Sequence, residues 1–266
     1  MLIVVSPAKS LDFDTPAKTK NFTTPSFLKE SQTLVKDLRK LSPDDISSLM
    51  SVSVKLGELN HERFANWHTP FNLENAKQAL FAFTGDVYIG LDAASFSAAD
   101  ITFAQKHLRI LSGLYGVLKP LDLMQPYRLE MGRKFASGKT TTLYEFWGER
   151  LTQFLNDELV EHKGKSKVVV NLASNEYFNS LKPKVLDAEV ITPVFKDFSS
   201  GKYKIVSFFA KKARGEMAAY IIKNRLKTPE ELLAFDVNGY RYSAEESKPN
   251  MPVFYANSKL ANDSTK

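Results

Sequence analysis

Three polar knots in this sequence carry side chains that can do chemistry, and each follows a short apolar run. Lys9 closes Ser6-Pro7-Ala8-Lys9, just past LIVV (2–5). A lysine held where a buried strand surfaces can neutralise a phosphate or act as a base, although a plain surface lysine fits the same pattern. Glu176 and Tyr177 follow VVVNLA (168–173), with Ser174 placed as the cap of a helix opening at NEYFNSL. A carboxylate in a first helical turn commonly satisfies free N–H groups and the helix dipole. In a cleft it can instead be catalytic.

The third knot, Ser112-Gly113, follows LRIL (108–111) and opens GLYGVLKPLDLMQPYRLEMG (113–132). Gly113 and Gly116 mark a turn, Lys119 and Arg128 are phosphate-binding candidates, and Arg128 offers a forked donor that Glu130 can orient. Residues 200–227 add Lys202, Lys204, Lys211, Lys212, Arg214, Lys223, Arg225 and Lys227 against a single acid, Glu216. A basic excess confined to one segment suits a polyanion partner, or else a solvated helix face. Lys211 and Arg214 fall three apart on one side of a helix, while Ala213, Met217, Tyr220 and Ile221 form its apolar stripe.

Positioning these groups requires strands that end together. LIVV, LRIL, VVVNLA, EVITPVF (189–195) and KIVSFFA (204–210) are continuous apolar runs, the pattern of strands covered on both faces. If they are parallel neighbours, their polar knots meet at one sheet edge, where sites in such folds gather. Helices are expected after Thr24-Pro25, after Ser42-Pro43 with Asp45 supporting the start, over about 52–67, and in ENAKQALFAF and SAADITFAQKHL. The expected fold is mixed α/β: a single compact domain over 1–256, with a central, mostly buried sheet flanked by helices and a basic cleft at strand ends. Residues 257–266 read as a flexible tail.

Composition closes off several function classes. The chain has 266 residues, no cysteine and a net charge of +6, so disulfides and thiolate metal sites are excluded. The apolar run at the N-terminus is too short for a signal peptide or a membrane span, so a cytoplasmic location with no membrane partner is expected. SGKTTT (137–142) lacks the upstream glycine and strand of a phosphate-binding P-loop. His61 and His68, seven apart, lack zinc-ligand spacing; His107 and His162 stand alone. No metal and no cofactor are called for, and a monomer is favoured.

Taken together, SPAKSLD (6–12), GDVYIGL (85–91), the 111–132 segment, LYEFWG (143–148), VVNLASNEYFNSLKP (169–183) and SFFAKKARGEMAAYII (207–222) resemble the YaaA family of bacterial peroxide-stress proteins. The resemblance runs in order from Met1 to about Tyr255. It implies resistance to hydrogen peroxide, limitation of unincorporated iron, a positively charged cleft, and binding of double-stranded DNA with a helix-hairpin-helix-like element. Such a hairpin reads apolar-x-Gly-apolar-Gly, whereas Gly113 and Gly116 have one residue more between them. The leading expectation is therefore a DNA-binding stress protein that protects DNA. The alternative is an enzyme, glycosidase- or hydrolase-like, acting on a nucleotide, nucleoside or nucleobase through Lys9, Glu176 and Tyr177. A phosphate-bearing small molecule is the matching partner. Direct iron binding would need a carboxylate cluster, and none stands out.

Overall fold

The computed structural model describes residues 1–161 and 167–256; His162 and the expected tail at 257–266 lie outside the described residues. A five-stranded sheet forms the centre, in the order Gly116–Leu118, Leu108–Ser112, Leu2–Val5, Val168–Leu172, Glu189–Ile191. The Leu2–Val5 strand pairs in parallel with Leu108–Ser112 on one side and Val168–Leu172 on the other. Glu189–Ile191 continues the parallel set, and Gly116–Leu118 closes the opposite edge in antiparallel. Leu2, Ile3, Val4 and Val5 are fully buried, as their uninterrupted apolar pattern requires of a central strand.

Helices Leu28–Leu38, Pro43–Met50, Val54–Asn66, Ala98–His107 and Arg150–Glu161 add to the same core. The Ser42 cap is reciprocal, its hydroxyl accepting from Asp45 N–H while the Asp45 carboxylate accepts from Ser42 N–H. Thr24 caps nothing: the first helix begins at Leu28, with Phe27 at the cap position. ENAKQALFAF also departs from expectation, giving a single turn at Ala79–Ala82 between extended pairs. Lys77–Gln78 pairs with Leu123–Met124, and Phe83–Thr84 with Ser10–Leu11, so tertiary ladders take the backbone groups a helix would have used.

A second, four-stranded sheet has the order Lys202–Lys204, Val194–Ser199, Met251–Ala256, Tyr240–Lys248. The run EVITPVF therefore splits at Pro193, giving one strand to each sheet. KIVSFFA splits too: a strand ends at Lys204 and the long helix Ser207–Asn224 begins, leaving Ile205, Phe208 and Phe209 exposed. That helix packs against both sheets, which is why it is buried on more than one side.

The long helix also crosses the short helix Asp86–Leu91 at backbone contact. A methyl group at Gly215 would sit 1.8 Å from the Val87 carbonyl oxygen, and one at Gly90 would sit 2.1 Å from that of Lys212. Backbone cannot yield as a flexible side chain can. Gly215→Ala is accordingly expected to cost about 3 kcal/mol or slightly more, at the upper end for overpacking, measurable as a lowered urea midpoint with an unchanged slope.

Two carboxylates meet where the helix faces the second sheet. Asp197 accepts from the Tyr240 hydroxyl at 3.1 Å on each oxygen, and Glu216 is held by Asn238 and by Lys212 at 3.5 Å. Burial pushes both acids above their usual range. The folded state thus holds these protons more tightly than the unfolded chain. Their favourable contribution is complete below the unfolded carboxylate range and is lost as pH rises through the raised values. In an Asp197→Asn/Glu216→Gln variant, the parent's advantage in Tm is expected to be largest near about pH 4 and to shrink towards about pH 7. A gap that widens with pH would contradict this reading.

Candidate functional site

The carboxyl ends of the strands Leu2–Val5 and Val168–Leu172, neighbours at the middle of the central sheet, converge on a cleft of about 410 Å³. Ser6 to Ser10 form one wall, Ser174, Glu176 and Tyr177 the second, and Lys211 and Arg214 of the long helix the third. Thr84 to Val87 and Glu130 complete the lining. The two knots are joined directly: Ser174 N–H donates to Ser6 Oγ at 2.9 Å, and the Ser6 hydroxyl donates to Ser174 Oγ at 3.3 Å. Ser174 occupies the cap position of Asn175–Phe178 but makes no side-chain cap bond, because its side chain is engaged with Ser6. The third knot reaches the same edge beneath the surface, where the Ser112 and Tyr127 hydroxyls share a 2.6 Å bond.

The 113–132 segment lies against this corner. Gly132 N–H donates to Glu176 Oε1 at 3.0 Å, and the Tyr144 hydroxyl donates to the Glu176 carbonyl at 2.8 Å. Tyr177 is buried, and burial followed by the nearby Tyr127, Glu176 and Glu130 drives its phenol far above the tyrosine range. A phenol in that state stays protonated at neutral pH, so it donates a hydrogen bond and does not serve as a base.

Glu130 is the hub for three cations. Its Oε1 accepts from Nε and Nη2 of Arg128 at 3.2 and 3.1 Å and lies 3.5 Å from Lys9 Nζ. Its Oε2, buried and without a hydrogen bond, has Arg133 Nε at 3.6 Å. The Arg128 fork is therefore taken up by Glu130, outside the cleft lining, and Lys9 is the exposed cation on the cleft side. Arg133 also donates to Ser51 Oγ at 3.0 Å, which links this hub to the turn between Pro43–Met50 and Val54–Asn66.

Arg214 differs from every other cation here. Its guanidinium lines the cleft, burial alone lowers its pKa, and no carboxylate or carbonyl pairs with it among the described residues. Asp86, in the first turn of Asp86–Leu91, faces the same space and is a lining residue that no motif singled out. Its only signal was its place in GDVYIGL, a block read for resemblance and not for chemistry. The lining is thus mixed, with Lys9, Lys211 and Arg214 set against Asp86, Glu130 and Glu176.

Other candidates fall elsewhere. Lys119 bonds Glu158 at 2.6 Å beside buried Arg109, in a separate ion cluster. Lys212 pairs with Glu216, and the far end of the basic segment is structural, with Arg225 2.7 Å from Asp100 and Lys223 over the Phe96 ring. Gly113 and Gly116 sit in a β-hairpin between two strands of the central sheet and are buried. The Gly113 carbonyl accepts from Trp147 Nε1 at 3.0 Å, and a methyl group on Gly113 would meet the Leu129 carbonyl at 2.2 Å. This turn cannot present its N–H groups to DNA. Helices Pro43–Met50 and Val54–Asn66 are joined by a tight turn at Ser51–Ser53, with Ser51 at φ 53.

No group of three or more metal-ligating side chains occurs among the described residues, and no helix among them is long and apolar enough to cross a membrane. The family model for peroxide stress protein YaaA matches residues 1–246. The chain is 57% identical over 254 residues to a UPF0246 protein of Saccharophagus degradans, covering 96% of this chain and 98% of the relative. A UPF0246 protein of Shewanella loihica is 58% identical, and one of Burkholderia multivorans 53% identical, over the same shares. Matched by the family model over residues 1–246 and by relatives over 96% of its length, the chain belongs to the peroxide stress protein YaaA family.

Proposed function

We propose that this cytoplasmic protein binds double-stranded DNA through the rim of the cleft and helps protect it from iron- and peroxide-driven damage. The unpaired, half-buried Arg214 guanidinium carries the reading. A cation partly stripped of water with no protein anion costs stability unless a ligand supplies the charge. A backbone phosphate held between Arg214, Lys211 and Lys9 would do so. From there the buried Glu130 carboxylate holds Arg133, which reaches the Ser51–Ser53 turn, and that turn would be a second point of contact for the same duplex. Salt titration of duplex binding in Lys211→Ala/Arg214→Met tests the reading, and binding equal to the parent's would refute it.

A second reading rests on a different observation. The Glu176 and Glu130 carboxylates and the protonated Tyr177 phenol share a cleft whose volume, about 410 Å³, falls in the range of small-ligand sites. A donor and two carboxylates beside an anion-binding arginine suit hydrolysis of a nucleotide, nucleoside or base. Incubating the protein with nucleotides and damaged duplexes is expected to give product that Glu176→Gln abolishes. An inert parent leaves only DNA binding.

A further inference from the structure

Arg214 shares the cleft with a second charge that has no partner. Asp86 is half-buried in the same lining, and its carboxylate makes no hydrogen bond or ion pair among the described residues. The two opposite charges face one space and do not meet. The backbone keeps them apart. Asp86 opens the helix Asp86–Leu91, Arg214 belongs to Ser207–Asn224, and the two helices cross in backbone contact at Gly90 and Gly215, with no room for a methyl group at either glycine. Neither helix can slide to close the gap without breaking that contact. Lys211, exposed and likewise without an ion pair among the described residues, stands one turn before Arg214 on the same wall.

Strand order identifies the crevice. From Leu2–Val5 the chain goes to Leu108–Ser112 on one side, then crosses to Val168–Leu172 on the other. Connections thus run in opposite directions from the ends of Leu2–Val5 and Val168–Leu172, and the crevice at such a switch point is where open parallel sheets bind their ligands, mononucleotides among them. The cleft lies at that point, with Ser6 and Ser174 bonded across it.

A ligand that satisfies both charges carries an anion at one end and hydrogen-bond donors at a set distance from it. Arg214 and Lys211 together suit a phosphate. A carboxylate with no protein donor suits the hydroxyls of a ribose, the pairing that acidic side chains make in nucleotide sites on sheets of this kind. Duplex DNA brings Arg214 a phosphate, but it has no 2′-hydroxyl for Asp86. We propose that the cleft binds a ribonucleoside monophosphate, with its phosphate on Arg214 and Lys211 and its ribose hydroxyls on Asp86. The proposal rests on the reading of the cleft as a small-ligand site and names the class of ligand.

The test is calorimetry of the parent with the common ribonucleoside 5′-monophosphates, their 2′-deoxy counterparts and the free ribonucleosides. At least one ribonucleotide is expected to bind, and its deoxy form to bind about tenfold more weakly or worse, the effect of losing a hydrogen bond to a charged group. Asp86→Ala is expected to abolish that ribose preference, with Tm followed alongside because an acid in a first helical turn also steadies the helix. Arg214→Met is expected to cut the preference for the monophosphate over its nucleoside by about tenfold or more. Failure of every ribonucleotide to bind overturns the proposal. So does a deoxynucleotide that binds as well as its ribose form, or a ribose preference that survives Asp86→Ala. Turnover is measured separately: equal hydrolysis of ribo- and deoxynucleotides keeps the hydrolytic reading and overturns this one, whereas ribose-selective binding without product supports this one and ends the other.

Discussion

Glu158→Ala is expected to destabilise the fold by about 3–5 kcal/mol, the range for breaking a buried ion pair, and to lower Tm by roughly 6–20 °C. The reason lies with the charge left behind. Arg109 is 1% exposed on a central strand, and its guanidinium is satisfied by Glu158 and by the carbonyls of Gln105, Lys106 and Leu108, while its Nε already lacks a partner. Burial pushes the Glu158 carboxyl up, but the Arg109 charge and bonds from Lys119 and Arg109 outweigh it and hold the acid below its usual range. This stabilisation is therefore present above the unfolded carboxylate range and lost as pH falls through the depressed value. Lys119→Ala, which leaves the buried pair intact, is expected to cost about 1 kcal/mol or less and to leave duplex binding at parental strength. Equilibrium unfolding and anisotropy on the two variants separate a structural lysine from a phosphate-binding one. A large loss of DNA affinity in Lys119→Ala would return that residue to the binding surface.

The cleft arginine is expected to behave in the opposite way. Arg214→Met removes a half-desolvated charge with no partner among the described residues, so Tm is expected to stay level or rise. Duplex affinity is expected to fall at the same time. Removing Lys211 together with Arg214 deletes two phosphate contacts and lowers the log–log salt slope by about 1.8, which is on the order of sixtyfold in affinity at 0.1 M salt. Adding Lys212→Ala is expected to change binding little. Its ammonium is committed to Glu216, and its loss would instead leave that buried acid less well compensated. A gain in stability paired with a loss of binding is the signature of a residue kept for its ligand. Unchanged binding, or a large loss of stability, would mean that Arg214 serves the fold.

Much of the site's raw material was legible along the chain. Lys9, Glu176 and Tyr177 stand just past strands whose apolar patterns read correctly, and three of the strands are parallel neighbours, so their ends had to meet; Lys211 and Arg214 lie within the helix that replaces most of the expected KIVSFFA strand. Arg128 and Lys119 were also visible as cations, but a residue's type does not reveal whether a carboxylate has already taken its charge. Glu130 and Glu158, distant from many of their partners in sequence, decide that.

The glycines show the same division. Gly113 and Gly116 announce a turn from sequence, and a turn is what forms. Its burial under Trp147 and Leu151, which arrive from the helices beyond residue 142, removes it from any contact with DNA. The turn at Ser51–Ser53 carries no glycine and gave no signal, yet Ser51 takes the left-handed conformation because the paired helices hold it there.

Local sequence alone determined the element types that long, regular apolar periods or reciprocal caps specify, the family, and the basic bias of residues 200–227. Tertiary structure alone decided which strands share a sheet, why ENAKQALFAF gives only a single helical turn, and which cleft arginine is left half-buried without a partner among the described residues. The physical reason is one of range. Periodicity and capping act over a few residues, whereas desolvation and charge pairing are settled by neighbours that only the completed fold brings together.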